Sequence, residues 1–406
     1  MADFAPPWAD GGTRRAPTTQ EQAAGFVCGP ADPALFNFLF HRIQSEIDSV
    51  ITGAGLTPSD ASLNQLLLGV TAIATDIASG YTRIITANTT LTVIPADPAS
   101  ATNFLTLQAA LDSLDNAMIA AAATVTINVA AGVHTITSSI RIRHAHGSRI
   151  RILGAALPGS FPVYTDVTSN VATSRTALRA KFSTIFDIQA VTGMIVEVGG
   201  LGLIQDIMLD HNSGGTGTQS CIVSQSGLVY AYRVMAFGCN LSGASDLGAG
   251  FAADISGTIQ TSQCAAAHCD EGILALHGGY VSLTGTSTPQ AFVIQCPVGL
   301  AARRRGIIRG QGLTIRDASA FGARIRSSGL IVLDGAVSGF TGNEVNVNAD
   351  GGRIEMIAPS LGAVTGAQSM LATAGGYIDA SSPTGTVTAS PTVNTVGNNN
   401  SYIYSH

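Results

Sequence analysis

Lysine is almost missing from this chain: Lys181 is the only one in 406 residues, and every other basic side chain is arginine. Charge of either sign is scarce, 11% of residues, and the formal net charge is −6. That balance is too mild to suggest a nucleic-acid partner. Tryptophan occurs once, as Trp8. The six cysteines are scattered, with Cys264 and Cys269 the only close pair. No neighbouring His/Cys set has zinc spacing, so neither a metal nor another cofactor is called for, and the thiols read as small core fillers in a reducing cytoplasm. No apolar run reaches the 18 or more residues of a membrane span. The longest, Met118 to Val133, is interrupted by Thr124, Thr126 and Asn128. Met1 to Arg15 holds no apolar signal core, so secretory export is not expected.

What the chain does have is apolar residues, 46% of the total, 46 glycines and a repeat. A glycine followed two places later by Ile or Val occurs at Gly202, Gly227, Gly257, Gly279, Gly306, Gly329, Gly352 and Gly376. Steps of 22 to 30 residues mark a stacked repeat protein. A second marker lies seven residues ahead of five of these glycines, starting at Ser220, Gly250, Gly272, Gly299 and Gly322. The first and third residues after it are mostly apolar or small, the period-two pattern of a strand with one buried face. The unit is too short for two helices. Short strands bent at glycine-rich corners, about three per turn, give a parallel β-helix, with the Ile/Val column as an interior ladder. The repeat glycine either takes positive φ or has no room for a Cβ. Alternation places Ile222 and Leu274 on the outer surface.

Residues 1–25 read as an extended arm that orders against a partner. Residues 26–80 contain two amphipathic helices, the first over 30–52, whose apolar faces include Phe38, Ile43, Leu66 and Val70. A lone hairpin leaves such faces exposed, so self-association, three-fold in the simplest case, is expected. Residues 81–103 form a strand-like linker and 104–380 the capped β-helix. A helix from Leu105 to Ala121 caps the first coil, and 155–180 is an irregular insertion. Residues 381–406 form a Thr/Ser/Asn-rich C-terminal extension.

Phe104-Leu-Thr-Leu-Gln-Ala-Ala-Leu-Asp112, followed by Val125 to His134 and Ile150-Arg-Ile-Leu-Gly154, resembles the opening of pectate-lyase-like right-handed parallel β-helices, in which a capping helix precedes the first coils. Trp8 together with Gly25 to Pro30 and Leu35-Phe-Asn-Phe-Leu39 resembles the virion-proximal segment of bacteriophage tail fibres and tailspikes. The resemblance implies an all-β solenoid with an N-terminal helical stalk and a virion-binding arm. It implies a homotrimer, made in the bacterial host cytoplasm and located in the virion at the tail tip or baseplate. Trp8, Phe26 and Phe36 would then belong to the attachment segment. The implied function is a structural, adhesive subunit that contacts host surface glycan or lipopolysaccharide. The alternative is a tailspike depolymerase that hydrolyses or eliminates polysaccharide with paired carboxylates.

Catalysis of that kind needs two acids about 5–5.5 Å apart for retention, or about 6.5–9.5 Å for inversion. Neighbouring coils put equivalent positions about 4.8 Å apart. Between residues 200 and 380 one pair fits, Glu355 and Asp379, each three places after its glycine, in a column that also holds Gln205, Tyr230, Gln260, Ser282 and Arg309. A solvated polar column is the plainer explanation of the pair, so the balance falls on adhesion rather than enzymatic activity. Asp206 and Asp210 would lie about 13 Å apart on an extended strand, and Asp210-His211-Asn212-Ser213-Gly214-Gly215 reads as a turn. Arginines 303, 304, 305, 309, 316, 324 and 326 fall within two coils. Of these, Arg303, Arg309, Arg324 and Arg326 are the candidate anion-binding set, since guanidinium forks match phosphate and carboxylate. Pairing with carboxylates of a neighbouring subunit, or plain solvation, is the simpler role for them.

Overall fold

The computed structural model describes residues 32–59, 64–71, 83–95, 100, 102–211, 219–239, 248–284, 291–334, 339–343, 345–357, 360–361, 370–381, 395–396 and 402–405. The chain divides into two compact units, Met1–Arg83 and Ile84–His406. In the first, helix α1 spans Asp32–Gly53, and residues 65–71 are helical. Ile51 is buried, whereas Phe40, Ile43, Leu66, Leu67 and Val70 are exposed. Trp8, Phe26 and the arm over 1–25 lie outside the described residues, as does the side chain of Phe36.

The second unit is a parallel β-solenoid of about nine turns. Each coil contributes to three faces. Face I is a ten-stranded parallel sheet that runs from Ile140–Ile142 to Thr395–Val396. Face II runs from Thr89–Val93 to Tyr402–Ser405, and face III from Gly132–Ile136 to Ser360–Leu361. One full coil reads Glu271–Ala275 on face I, Tyr280–Thr284 on face II and Ala291–Ile294 on face III. The Ile/Val ladder stacks in register on face II as Val229, Ile259, Val281, Ile308, Ile331, Ile354 and Ile378, all with no exposed surface. Ile403 adds a further rung that no glycine announces. Burial of each such side chain is worth about 1.5–3 kcal/mol.

The first copy of the repeat is out of phase. Val229 pairs with Leu201 rather than Ile204, and the register slips between Leu201 and Ile204. The second marker also shifts at its first copy: Ile222 and Ser224, not Cys221 and Val223, align with Phe251 and Ala253. Ile222 therefore points into the core. Leu274 lies in a separate cluster with Ala249, Ala252, Leu276, Val298 and Ala301, and it too has no exposed surface. Ile222 therefore offers no outer contact, whereas Leu274 lies on the outer side of face I, as alternation predicts, and is covered by its neighbours there.

The corners explain the glycines. Left-handed residues recur at the corners of successive coils, such as Ile255-Ser256, His277-Gly278, Arg304-Arg305 and Ser327-Ser328 between faces I and II. The repeat glycine follows that pair with ordinary φ. Its role is clearance: a Cβ on Gly306 would sit 2.1 Å from the Ala275 carbonyl oxygen of the preceding coil. Between faces III and I, Gly238, His268, Gln295, Asp317 and Gly342 are left-handed in turn. Next inward come Cys239, Cys269, Cys296, Ala318 and Asn343, all buried. The Cys269 and Cys296 thiols donate to the carbonyls of Ala267 and Ile294, each at 3.5 Å. The cysteines thus fill a tight corner and serve a carbonyl there. The close thiols are Cys221 and Cys239, with Sγ atoms 2.9 Å apart.

The cap is shorter than its periodicity suggests. Helix α2 is Leu107–Asp112, N-capped by Thr106, and buries Leu107, Ala110 and Leu111. The chain then returns as the strand Ala117–Ile119, and the amide of Ala120 donates to Ile85 O. The segment 155–180 is irregular as far as Asn170, apart from a 3-10 turn at Tyr164–Asp166, but it then turns helical. It contains helix α3, Val171–Arg179, and lays Phe161, Val167 and Leu178 over the outer side of face III to form a second core with Met208, Met235, Phe237 and Phe292.

Candidate functional site

The acid pair predicted from spacing is present in register: Glu355 faces Asp379 on the next coil. It lies on the outer side of face II. Arg353, on the same strand, holds Glu355 at 2.6 Å and stacks its guanidinium 4.9 Å from the centre of the Tyr377 ring. One member of the pair is therefore already neutralised.

A second in-register acid pair escaped the spacing search because one member precedes residue 200. Asp187 aligns with Asp210 on face III. Asp210 is wholly buried and accepts from Arg175 Nε at 2.9 Å and from Arg179 Nε. Arg179 also reaches Asp187, whose other oxygen accepts from Gln189 Nε2 at 2.7 Å. His211 Nε2 bonds Val191 O, and His268 Nε2 bonds Thr168 O. Asp210 and His211 thus close a strand, Leu201–His211, and the remainder of the expected turn, residues 212–215, lies outside the described residues. Asp206 is the left-handed corner within that strand (φ 57°) and is paired with Arg233 at 2.7 Å. Both oxygens of Asp187 and of Asp210 are engaged, so this cluster fastens α3 to the solenoid and has no carboxylate oxygen left for proton transfer.

The arginines separate by face. Arg309 is exposed on face II, and Arg316, on face III, lies over the Tyr164 ring at 4.8 Å. The rest gather on face I and at its corner with face II. Arg303 and Arg326 stack in register, as do Ala301 and Arg324. Arg303 is nearly buried and pairs with Glu271 of the preceding coil, so its carboxylate comes from its own chain. Arg324 stacks on Phe321, 4.6 Å from the ring centre. Its pKa is lowered, first by burial and then by the neighbouring Arg326 and Arg303 charges. Among the described residues no carboxylate forms an ion pair with Arg305, Arg324 or Arg326. At the rim, Arg304 Nη1 donates to His277 Nε2 at 2.8 Å, and His277 Nδ1 lies 2.8 Å from Asp254 Oδ1. Asp254 also lines a shallow groove of about 130 Å³ across face I, with Val223, Gln225, Ala252 and Leu274.

The result is a ledge of five guanidiniums on two adjacent coils, Arg303, Arg304 and Arg305 on one and Arg324 and Arg326 on the next. Arg304 and Arg305 escaped the candidate set because sequence alone does not show which arginines find carboxylates. Among the described residues no group of three His, Cys, Asp or Glu side chains could hold a metal ion, and no helix is long and apolar enough to cross a membrane. Comparison of the chain with protein-family models, with curated proteins and with solved structures gave no match.

Proposed function

We propose that this chain is a structural and adhesive subunit of a phage tail, a tail fibre or tailspike. It would be held to the tail tip or baseplate through its N-terminal region and would contact an anionic glycan or lipopolysaccharide on the host. The observation that carries the adhesive part is the arginine ledge. Among the described residues Arg305, Arg324 and Arg326 form no ion pair with a carboxylate, although Asp350 lies in register with Arg326, and Asp350 and Glu271 act on the Arg324 charge from a distance. Forked donors at coil spacing suit the phosphates and carboxylates of bacterial surface polymers.

Self-association is supported by apolar surface that a single chain leaves open. In the helical unit Phe40, Ile43, Leu66, Leu67 and Val70 are exposed. On face II, Leu228, Tyr280, Ile307, Leu330 and Tyr377 share one outward column and are only partly covered.

The test is retention on immobilised lipopolysaccharide and acidic capsular polysaccharide. Arg326→Glu and Arg305→Glu are the suitable reversals, because Arg303→Glu would oppose Glu271 and endanger the fold. Each should reduce retention at least tenfold while mass and thermal stability hold. The glycan should be bound without being shortened. Unchanged retention would remove the adhesive assignment, and released reducing ends or unsaturated fragments would favour a depolymerase.

A further inference from the structure

The ledge has a titratable neighbour in a defined hydrogen-bonding state. An arginine cannot give up its proton, so in the Arg304–His277 contact the imidazole Nε2 must be the acceptor. The other ring nitrogen then carries the hydrogen and donates to Asp254. The two contacts together fit one tautomer, with the hydrogen on Nδ1 and Nε2 free to accept. Three consecutive coils supply the three groups. His277 and Arg304 both occupy left-handed corners, at φ 47° and 49°, so each side chain is projected from a bent backbone toward its neighbour.

We propose that the Asp254–His277–Arg304 chain is a proton-operated latch on the arginine ledge: the neutral imidazole holds Arg304, and protonation releases it and adds a positive charge beside the anion site. A protonated ring has a donor at both nitrogens, so the Arg304 contact becomes donor against donor and cation against cation. Asp254 keeps the ring in place, because its carboxylate accepts from Nδ1 in either state. The charged groups around the imidazole are few. Asp254 faces it from the preceding coil and Arg304 from the following one. Arg303 and Arg305 flank Arg304, and Glu271, at the start of the strand that precedes the His277 corner, is held by Arg303. The latch rests on the reading that the ledge binds an anion, and it sets the direction of control: acid tightens binding.

Dextran sulfate is a suitable probe, since its charge is constant over the range in which histidine titrates. Its affinity for the full chain is measured at pH 8 and pH 5. Wild type should bind roughly fivefold more tightly at pH 5 than a chain lacking the latch, a difference in keeping with one freed guanidinium and one added charge at an exposed site. His277→Asn keeps a neutral side chain that tolerates the left-handed corner, and it should lose that increment while binding normally at pH 8. Arg304→Gln should also flatten the response. An unaltered pH response in both variants overturns the latch and leaves the ledge intact. Absence of binding at both pH values, or binding that Arg326→Glu does not reduce, overturns the ledge and the latch together.

Discussion

At the scale of single residues, the fold depends on clearance as much as on burial. Gly306 has ordinary φ, so an added methyl would be tolerated by the backbone but not by the Ala275 carbonyl 2.1 Å away. Gly306→Ala should therefore cost about 1–3 kcal/mol, the range for overpacking, seen as a lower denaturation midpoint with an unchanged slope. Two histidines make a further residue-scale prediction. Burial lowers the pKa of His146, with Arg149 and His144 adding to the effect. Burial also lowers that of His268, outweighing the Thr168 carbonyl, which favours the charged form. A histidine whose folded pKa lies below its unfolded value of about 6.5 takes up its proton more readily in the unfolded chain. Its contribution is complete above that value and is lost as the pH falls through the window below it. The melting temperature should decline from pH 7 to pH 5, and His268→Asn should lessen the decline. A flat profile would show that neither group is protected from protonation.

At the scale of elements, legibility followed periodicity. The face II ladder could be read from the sequence because each coil repeats one rule, a glycine and then a branched residue that stacks on its counterpart. Ser401 breaks that rule, and Ile403 stacks all the same. The slip at Leu201 was hidden because Gly202 also obeys the rule by coincidence. Helix α3 was missed because its contacts are not periodic: Arg175 and Arg179 are fixed by acids more than thirty residues or only eight residues away. The Asp187–Asp210 pair was similarly hidden, since no glycine marks the coil that holds Asp187. The role of α3 is testable. Arg179→Ala leaves Asp187 without one donor and Asp210, wholly buried, with Arg175 alone. Since Arg175 still compensates Asp210, the cost is that of a lost charged hydrogen bond, about 1–3 kcal/mol. The loss should appear as faster amide exchange across α3 and the outer side of face III, with the face II ladder still protected. Uniform loss of protection would mean that α3 and the solenoid unfold as one unit.

At the scale of the whole molecule, the two units pose different packing problems. A solenoid couples each coil mainly to its neighbours and closes its core within one chain, and the interior columns here are fully covered. That core needs no second copy. Ile331→Asp tests the coupling, because an unpaired carboxylate in the dry ladder should prevent the stack from forming. The helical unit differs: α1 and residues 65–71 leave several large apolar side chains in water. Monomeric proteins rarely expose contiguous apolar patches beyond a few hundred Å², and rotational symmetry is the usual way to cover a helical stripe. We propose a three-fold assembly to cover it, about 124 kDa from three 41.3 kDa chains, measurable by light scattering on the purified full chain. Ile43→Asp and Leu67→Asp should dissociate it without disturbing the β-sheet signal in circular dichroism, since both residues belong to the helical unit and are exposed there. A wild-type mass of about 41 kDa across the micromolar range would refute the assembly, and with it the reason for the exposed helical stripe. If the aspartate variants stayed trimeric, the contact would move to face II, where Tyr280, Ile307 and Leu330 form the remaining outward apolar column.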